Sequence, residues 1–371
     1  MAKLGEVCKL NMGQSPDSSY YNDTGDGIPF FQGNADFGEV HPNIRVWCNA
    51  PTKIAHPGEI LISVRAPIGA MNIADCECCI GRGLASISAD EAVCTTKYLW
   101  YGISSKIEEL NAKGTGSTFK AVNKKTLEET EIPIRDLMEQ ERIAAKLDSV
   151  TALITLRKQQ LKKLDELVKA RFVEMFGDPV KNTMDWEIKP LSELGELNRG
   201  VSKARPRNSP ELLGGPYPLI QTGEVANAKT YITSFNSTYS EKGLAQSKMW
   251  PKGTLCITIA ANIAQTSILT FDACFPDSVV GFISRNMTNE LFIHYWFSFF
   301  QKILDEQAPQ VAQKNINLKI LSELNVIVPP LSLQNRFAAF VERVDQQKQA
   351  VQQSLEKLEL MKKALMQEYF G

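Results

Sequence analysis

The chain repeats itself, and that constrains its fold more than any other feature. Leu161-Lys162-Lys163-Leu164 returns as Leu355-Glu356-Lys357-Leu358, 194 positions later. Ala170 to Gly177 lines up with Ala364 to Gly371 at the same offset, so both segments close on Phe-Gly, at Phe176-Gly177 and Phe370-Gly371. Gln140, Arg142 and Ala145 fall on Gln334, Arg336 and Ala339. The starts match at an offset of 190, Leu4-Gly5-Glu6-Val7 against Leu194-Gly195-Glu196-Leu197, which implies a net four extra residues in the second copy. In between, IPFFQG (Ile28 to Gly33) matches YPLIQTG (Tyr217 to Gly223), and HPGEILISV (His56 to Val64) matches WPKGTLCITI (Trp250 to Ile259). A period near 190 is far too long for a solenoid. It predicts a duplicated two-part unit, and hence pseudo-two-fold symmetry within one chain.

The first part of each copy, residues 1–135 and 186–330, is rich in Gly, Pro, Asn and short β-prone runs such as GEILISV and GTLCITIA. Helical stretches follow at Lys97 to Leu110 and Glu290 to Gln307. This mixture predicts an α/β domain (mixed α+β) with an irregular sheet. The second part, residues 136–178 and 331–371, is different. Leu137 to Phe176 contains neither Pro nor Gly. Leu147, Val150, Ile154, Leu161, Leu164 and Val168 recur at steps of three and four, with Arg157 filling the gap. Val341, Val344, Val351, Leu355, Leu358 and Leu365 form the matching stripe, interrupted by Lys348 and Lys362. Such stripes predict long helices buried along one side. Gly177 stands where a left-handed C-cap is expected, and Pro179 follows it. About 40 residues at 1.5 Å each give roughly 60 Å of helix. A helix of that length with polar outer faces needs a partner, and the simplest is its own repeat. Two-fold related helices would run antiparallel as a coiled coil, with an α/β domain at either end. The alternative is a helix lying on its own domain.

Length and composition set the remaining bounds. At roughly 150 residues per domain, 371 residues predict two to three domains. Hydrophobic residues at 43% and charged residues at 22% exclude wholesale disorder, collagen and a coiled-coil rod. No run of about 18 apolar residues occurs, so no transmembrane helix is expected. MAKLGEVCKLNMG carries no apolar core run, so no secretory signal is expected. The eight cysteines are not spaced as a two-plus-two zinc pair, and Cys76, Cys78 and Cys79 read as small buried side chains in a reducing cytoplasm.

Catalytic constellations are missing. No G-x-x-x-x-G-K-[ST], G-x-S-x-G or H-E-x-x-H occurs. The acidic-Pro-Pro-aromatic motif and Gly-rich loop of an amino-methyltransferase are also missing. Glu187-Ile188-Lys189 has no Pro-Asp placed before it for a nuclease. His41, His56 and His294 lie far apart in sequence and are expected to be structural or on the surface. No catalytic residue, metal site or cofactor site is expected in this chain.

Local charge is more informative than the net charge of −1. Asn198 to Pro210 carries Arg199, Lys203, Arg205 and Arg207 without an acid. Asn111 to Thr126 carries Lys113, Lys120, Lys124 and Lys125, again without an acid. Within it, GTGSTFKAVNKK offers Ser117 and Thr118, and its small residues let a backbone approach a phosphate. The corresponding PQVAQKN of the second copy offers Gln310, Gln313, Lys314 and Asn315. Arg65, Arg82, Asn262 and Gln265 complete the polyanion-binding candidates. Any one of them can equally be a solvated loop residue; their recurrence at equivalent places in both copies carries the reading.

This layout resembles the specificity (S) subunit of type I restriction–modification systems. The resemblance rests on the doubled Leu-Gly-Glu start at Leu4 and Leu194, with Trp186-Glu187 before the second. It rests on the turns at Pro29 and Pro218 and on the Phe-Gly endings. It also rests on a hinge similar to Ile-x-Pro-x-Leu-x-x-Gln, at Ile132 to Gln140 and Ile327 to Gln334. The first copy departs from that hinge, with Arg135-Asp136 where the second has Pro329-Pro330. It also lacks the leading Trp.

The resemblance implies a non-catalytic, sequence-specific DNA reader in the cytoplasm of a prokaryote. Residues 1–135 and 186–330 would be target recognition domains, each contacting half of a bipartite asymmetric site. The candidates are Arg65, Arg82, Lys113, Ser117, Thr118, Lys120 and Lys124 in the first, and Arg199, Lys203, Arg205, Arg207, Asn262, Gln313 and Lys314 in the second. The spacer helices, with Leu147, Val150, Ile154, Leu161, Leu164, Val344, Val351, Leu355 and Leu358 in their seam, would act as a ruler. At 3.4 Å per base pair, a rod of roughly 60 Å is long enough to hold two readers about one to one and a half duplex turns apart. The helices would dock two methyltransferase (M) subunits, which hold S-adenosylmethionine and methylate adenine. Restriction (R) subunits using ATP and Mg would join them, and no membrane would be involved. Two other readings compete: a two-module scaffold that binds only proteins, and a self-contained DNA-modifying enzyme, against which the missing motifs speak.

Overall fold

The computed structural model describes residues 1–115, 120–260, 263–299 and 316–371. The chain divides into two compact units, Met1–Lys158 with Gln353–Gly371, and Gln159–Gln352.

In the first unit a four-stranded antiparallel sheet runs in the order Cys8–Met12, Leu84–Ala89, Ile60–Ser63, Met71–Ile73. A five-stranded sheet of short strands runs Tyr21–Asn22, Trp47–Cys48, Ile28–Phe31, Cys78–Ile80, Ile54–Ala55. Its one parallel pairing sets Phe30 opposite Cys79. In the second unit Gly195–Arg199, Val279–Ser284, Leu255–Thr258 and Thr266–Leu269 repeat the first order, and Tyr231–Ile232 adds a fifth strand. Ser237–Tyr239, Leu213–Leu219, Ala273–Cys274 and Met249–Trp250 repeat the last four strands of the second order, again with one parallel pairing, Leu219 opposite Cys274. The matched segments therefore do the same work. GEILISV and GTLCITI each become a wholly buried inner strand, and IPFF and PYPL each become the parallel partner.

Equivalence at the start differs from the expected offset of 190. Leu4–Val7 forms one helical turn and Leu191–Leu194 forms the other. The amide of Leu4 bonds the carbonyl of Thr130, and the amide of Leu191 bonds that of Leu324, at 2.9 Å in both cases. Leu4 thus matches Leu191, an offset of 187, and Leu194 takes the place of Val7. The Leu-Gly-Glu string match is a coincidence of letters, because backbone pairing decides which residues are equivalent.

Two 40-residue helices follow the strands Glu131–Ile132 and Asn325–Val328: Leu137–Phe176 and Leu331–Phe370. Where the second copy has Pro330, the first has Asp136, whose carboxylate accepts from the amide of Glu139 at 2.8 Å. An N-cap bond replaces the second proline there. Gly177 adopts φ +77 after the first helix, the left-handed C-cap that the sequence predicts.

Each long helix begins in one unit and ends in the other, so each unit contains a piece of both. In the first unit Lys146 Nζ lies 3.1 Å from Tyr369 Oη, and Lys158 Nζ lies 3.0 Å from Glu359 Oε1. In the second, Asp165 Oδ1 lies 2.8 Å from Lys348 Nζ, and the rings of Phe172 and Phe337 are 5.4 Å apart. As one helix advances the other recedes, so the pairing within each unit is antiparallel. Leu147, Val150, Ile154 and Leu355 are buried in the first unit, and Val344 and Val351 in the second. Leu161, Leu164 and Leu358 are half-buried.

A buried glutamine fixes each helix start. Gln140 Oε1 accepts from the amide of Thr95 at 2.9 Å, and its Nε2 donates to the carbonyls of Val93 and Arg135 at 2.8 Å. Gln334 Oε1 accepts from Thr288 Oγ1 at 2.9 Å, and its Nε2 donates to the carbonyls of Met287 and Pro329 at 3.0 and 2.8 Å. The eight cysteines are unpaired, and Cys78 and Cys79 are buried strand residues. Burial pushes the thiols of Cys8, Cys78 and Cys94 up to about 12, which keeps them protonated and unreactive at neutral pH.

Candidate nucleic-acid interface

In both units one corner is built the same way. The strand that follows the opening helical turn is succeeded by a glycine, Gly13 or Gly200. The amide of Gly13 bonds the carbonyl of Leu84 and that of Gln14 bonds the carbonyl of Ile80. The amides of Gly200 and Val201 likewise bond the carbonyls of Val279 and Phe275. A Cβ at Gly13 would sit 2.1 Å from Gly81 O, and one at Gly200 would sit 2.3 Å from the carbonyl oxygens of Phe275 and Pro276. Only glycine lets the two segments approach so closely. The corner is then completed by the turn between two strands, Gly81-Arg82-Gly83 in the first unit and Pro276-Asp277-Ser278 in the second.

In the first unit Arg82 is exposed at the tip of that turn, and its amide donates to Ser15 Oγ at 3.2 Å. Val64 ties the next loop to the corner. Its amide bonds the carbonyl of Gly83 at 2.9 Å, and its carbonyl accepts from the amide of Val122 at 2.9 Å. The amide of Ala66 bonds the carbonyl of Lys120 at 3.1 Å, and Arg65 bridges Ala121. The structure thereby gathers Arg65, Arg82 and Lys120, three exposed cations with no ion-pair partner among the described residues. Lys113 and Lys124 differ. They pair along their own helices with Glu109 at 2.6 Å and Glu128 at 3.4 Å. Ser117 and Thr118 lie outside the described residues.

In the second unit Arg199, Arg205 and Arg207 converge on Asp277. Arg207 Nη2 lies 2.6 and 2.8 Å from its two carboxylate oxygens, Arg205 Nη2 lies at 3.8 Å, and Arg199 Nε donates to its backbone carbonyl at 3.0 Å. Arg205 Nη1 also donates to the carbonyls of Ser202 and Ala204 at 2.8 Å. Two guanidinium groups on the Asp277 carboxylate and a third on its backbone carbonyl leave this corner, with Lys203, strongly cationic. Beside it lies a cleft of about 170 Å³, lined by Ser202, Arg207, Asn208, Gln221 and Thr222 among others. Ser202 is 6% exposed and its Oγ has no hydrogen-bond partner among the described residues. Asn262, Gln313 and Lys314 lie outside the described residues, as do Gln310 and Asn315. Gln265 is exposed and its amide donates to Thr258 Oγ1 at 3.0 Å.

Sequence reasoning found the arginines and missed Asp277, Ser15 and Ser202. The signal was present. Carried through the strands of the turn, the repeat sets Arg82 opposite Asp277 at an offset of 195. His294 is a core residue, its Nδ1 2.9 Å from Thr266 Oγ1, and burial lowers its pKa to about 4. His41 Nδ1 bonds the carbonyl of Ile73, and exposed His56 lies 3.6 Å from Glu77. No group of three or more His, Cys, Asp or Glu able to hold a metal occurs among the described residues.

Comparison with known proteins identifies the family. The family model "Type I restriction modification DNA specificity domain" matches residues 1–166 and 183–360. The putative type I restriction enzyme MjaX specificity subunit of Methanocaldococcus jannaschii is 41% identical over 161 residues, 43% of this chain. That match spans only 38% of the relative's length. The type I restriction enzyme EcoBI specificity subunit of Escherichia coli is 19% identical, with 92% of this chain and 78% of the relative aligned. Among solved structures, the type I restriction–modification S subunit from M. genitalium superposes with TM-score 0.59 at 15% identity, covering 100% of this chain and 95% of that one. A chain from a structure on complex assembly and conformational transition of the type I R-M system superposes at 0.61 with 19% identity, covering 99% and 96%. These two likenesses speak to the fold. The family match spans most of both copies, and the chain belongs to the type I restriction modification DNA specificity domain family.

Proposed function

We propose that this chain is the DNA-binding specificity subunit of a type I restriction–modification complex. Each unit reads one half of a bipartite asymmetric DNA site. The chain directs adenine methylation and restriction performed by partner subunits and is itself non-catalytic. The observation that carries this reading is the repeated corner: one backbone frame, built twice, presents different cationic side chains in the two units. A shared frame with different readers is what an asymmetric split site requires, because frame contacts position the duplex while side chains at base edges specify it.

The partners in this reading are double-stranded DNA, two methyltransferase subunits and restriction subunits. S-adenosylmethionine would reside in the methyltransferase subunits, and ATP and Mg in the restriction subunits, with no cofactor on this chain. Exposed Leu153, Leu156, Leu360 and Met361 on the long helices of the first unit support docking of a protein partner there, since apolar side chains of this size on an outer face favour burial. No helix among the described residues is long and apolar enough to cross a membrane, and we place the complex in the prokaryotic cytoplasm.

The test is binding to duplex DNA across a salt series, with and without the methyltransferase partner. Phosphate contacts release counterions, so affinity should fall steeply as salt rises. Salt-independent partner binding without DNA affinity would favour a protein scaffold. Methyl transfer by the isolated chain with added S-adenosylmethionine would contradict a non-catalytic role.

A further inference from the structure

The geometry points to a single specificity-determining position in the frame, occupied by Arg82 in the first unit and by Asp277 in the second, at which each unit presents one arginine fork to DNA. This rests on the DNA-reading function above and deepens it.

Four observations converge. The two positions are equivalent, because the strands on either side of each turn keep one register: Ala85 pairs Met12 as Val280 pairs Arg199, and Phe30 pairs Cys79 as Leu219 pairs Cys274. Their surroundings are also equivalent. Ser15 matches Ser202, and the exposed Gln32 matches the exposed Gln221, two residues beyond the parallel-paired Phe30 and Leu219 respectively. Against this shared background the charge inverts. The first unit sets Arg82 on the turn and Asp17 on the facing loop, both close enough to act electrostatically on Tyr21. The second sets Asp277 on the turn, and its facing loop supplies Arg205 and Arg207. Finally, the cleft beside Asp277 holds the buried hydroxyl of Ser202, a donor without a hydrogen-bond partner among the described residues.

The consequence is chemical. A guanidinium recognises guanine O6 and N7, or a phosphate, through two parallel donors, and gains specificity only when its plane is fixed. Arg82 is placed by the turn that bears it. Arg207 comes from a loop without regular structure and is placed by the Asp277 carboxylate. Asp277 is therefore a positioning residue. It also offsets part of the cationic charge of the loop, which holds down sequence-independent attraction to DNA. The same corner is thus armed from opposite walls, which lets one frame read two different half-sites.

The experiment uses the full chain assembled with its methyltransferase partner and a pool of duplexes with a randomised interior. Bound duplexes are selected and sequenced. For the original chain, failure to enrich any two-part motif would sink the DNA-reading function itself. Given a two-part motif, R82Q should flatten base preference in one half only, and D277N in the other half only. A well-placed arginine fork gives roughly a 5- to 150-fold preference for its base, so the change should be of that size at one position. R82K keeps the charge without the fork and should lose the preference while keeping the salt dependence. D277N should raise affinity for a fixed mixed-sequence duplex at low salt and steepen the log–log salt slope by about 0.9. Thermal melting like that of the original chain shows that the variants fold. An unchanged motif in well-folded R82Q and D277N, or equal change in both halves from either one, would overturn the inference.

Discussion

The ring of Phe370 lies 4.9 Å from that of Tyr98 in the first unit. Its counterpart 194 residues earlier, Phe176, lies 5.0 Å from Phe292, the counterpart of Tyr98, in the second unit. The two Phe-Gly endings are thus equivalent anchors, each seating the end of one long helix on the unit where the other begins. Large-to-small changes at such sites cost about 3–5 kcal/mol. F370A should weaken the first unit and F176A the second. Hydrogen exchange resolved by segment checks this: accelerated exchange in Thr96–Ser105 is expected for F370A, and in Glu290–Phe297 for F176A. Equal effects on both segments would refute unit-specific anchoring.

Gln140 and Gln334 pin the helix starts through fully buried amides. Replacing Gln334 with Leu removes partners from Thr288, Asn289, Met287 and Pro329 at once. Each buried polar group left unpaired costs about 1–3 kcal/mol. Q334L should lower the denaturation midpoint markedly, and Q140L should do so to a similar extent. Loss at one site with no effect at the other would show that the two hinges are not mechanically equivalent.

Stability of the second unit should depend on mildly acidic pH. Burial, with a smaller contribution from Lys348, lowers the pKa of His294 from 6.5 to about 4. The unfolded chain therefore binds more protons than the folded one between these values. Stability is complete above about pH 6.5, falls as pH drops towards 4, and levels off below it. The span corresponds to roughly 3 kcal/mol. H294Q should flatten urea midpoints across this window. A slope as steep in H294Q as in the original chain would assign the effect to other groups.

The duplication and the helical stripes are legible in the sequence because they depend on periodicity alone. Leu147, Val150 and Ile154 are buried at the spacing that the chain displays. Lys348 interrupts its stripe, yet it fits the seam by meeting Asp165, a pairing that no local pattern reveals. The corner was half legible. A charge run marks Arg199 to Arg207, but Asp277 stands 70 residues beyond Arg207 and joins the arginines only when a turn folds against their loop. The false match of Leu4 with Leu194 arose because string similarity ignores hydrogen bonding. Thr130 and Leu324 decide that register instead.

The central proposal is that one chain carries two different readers, one in each unit, which together recognise half-sites held at one fixed spacing. The most direct test varies only the unread gap of the split site. Adenine methylation and binding by the assembled complex would be measured on duplexes whose half-sites are intact and whose spacer is two base pairs longer. The account predicts that both are lost. Methylation and affinity undiminished on the lengthened site would contradict it.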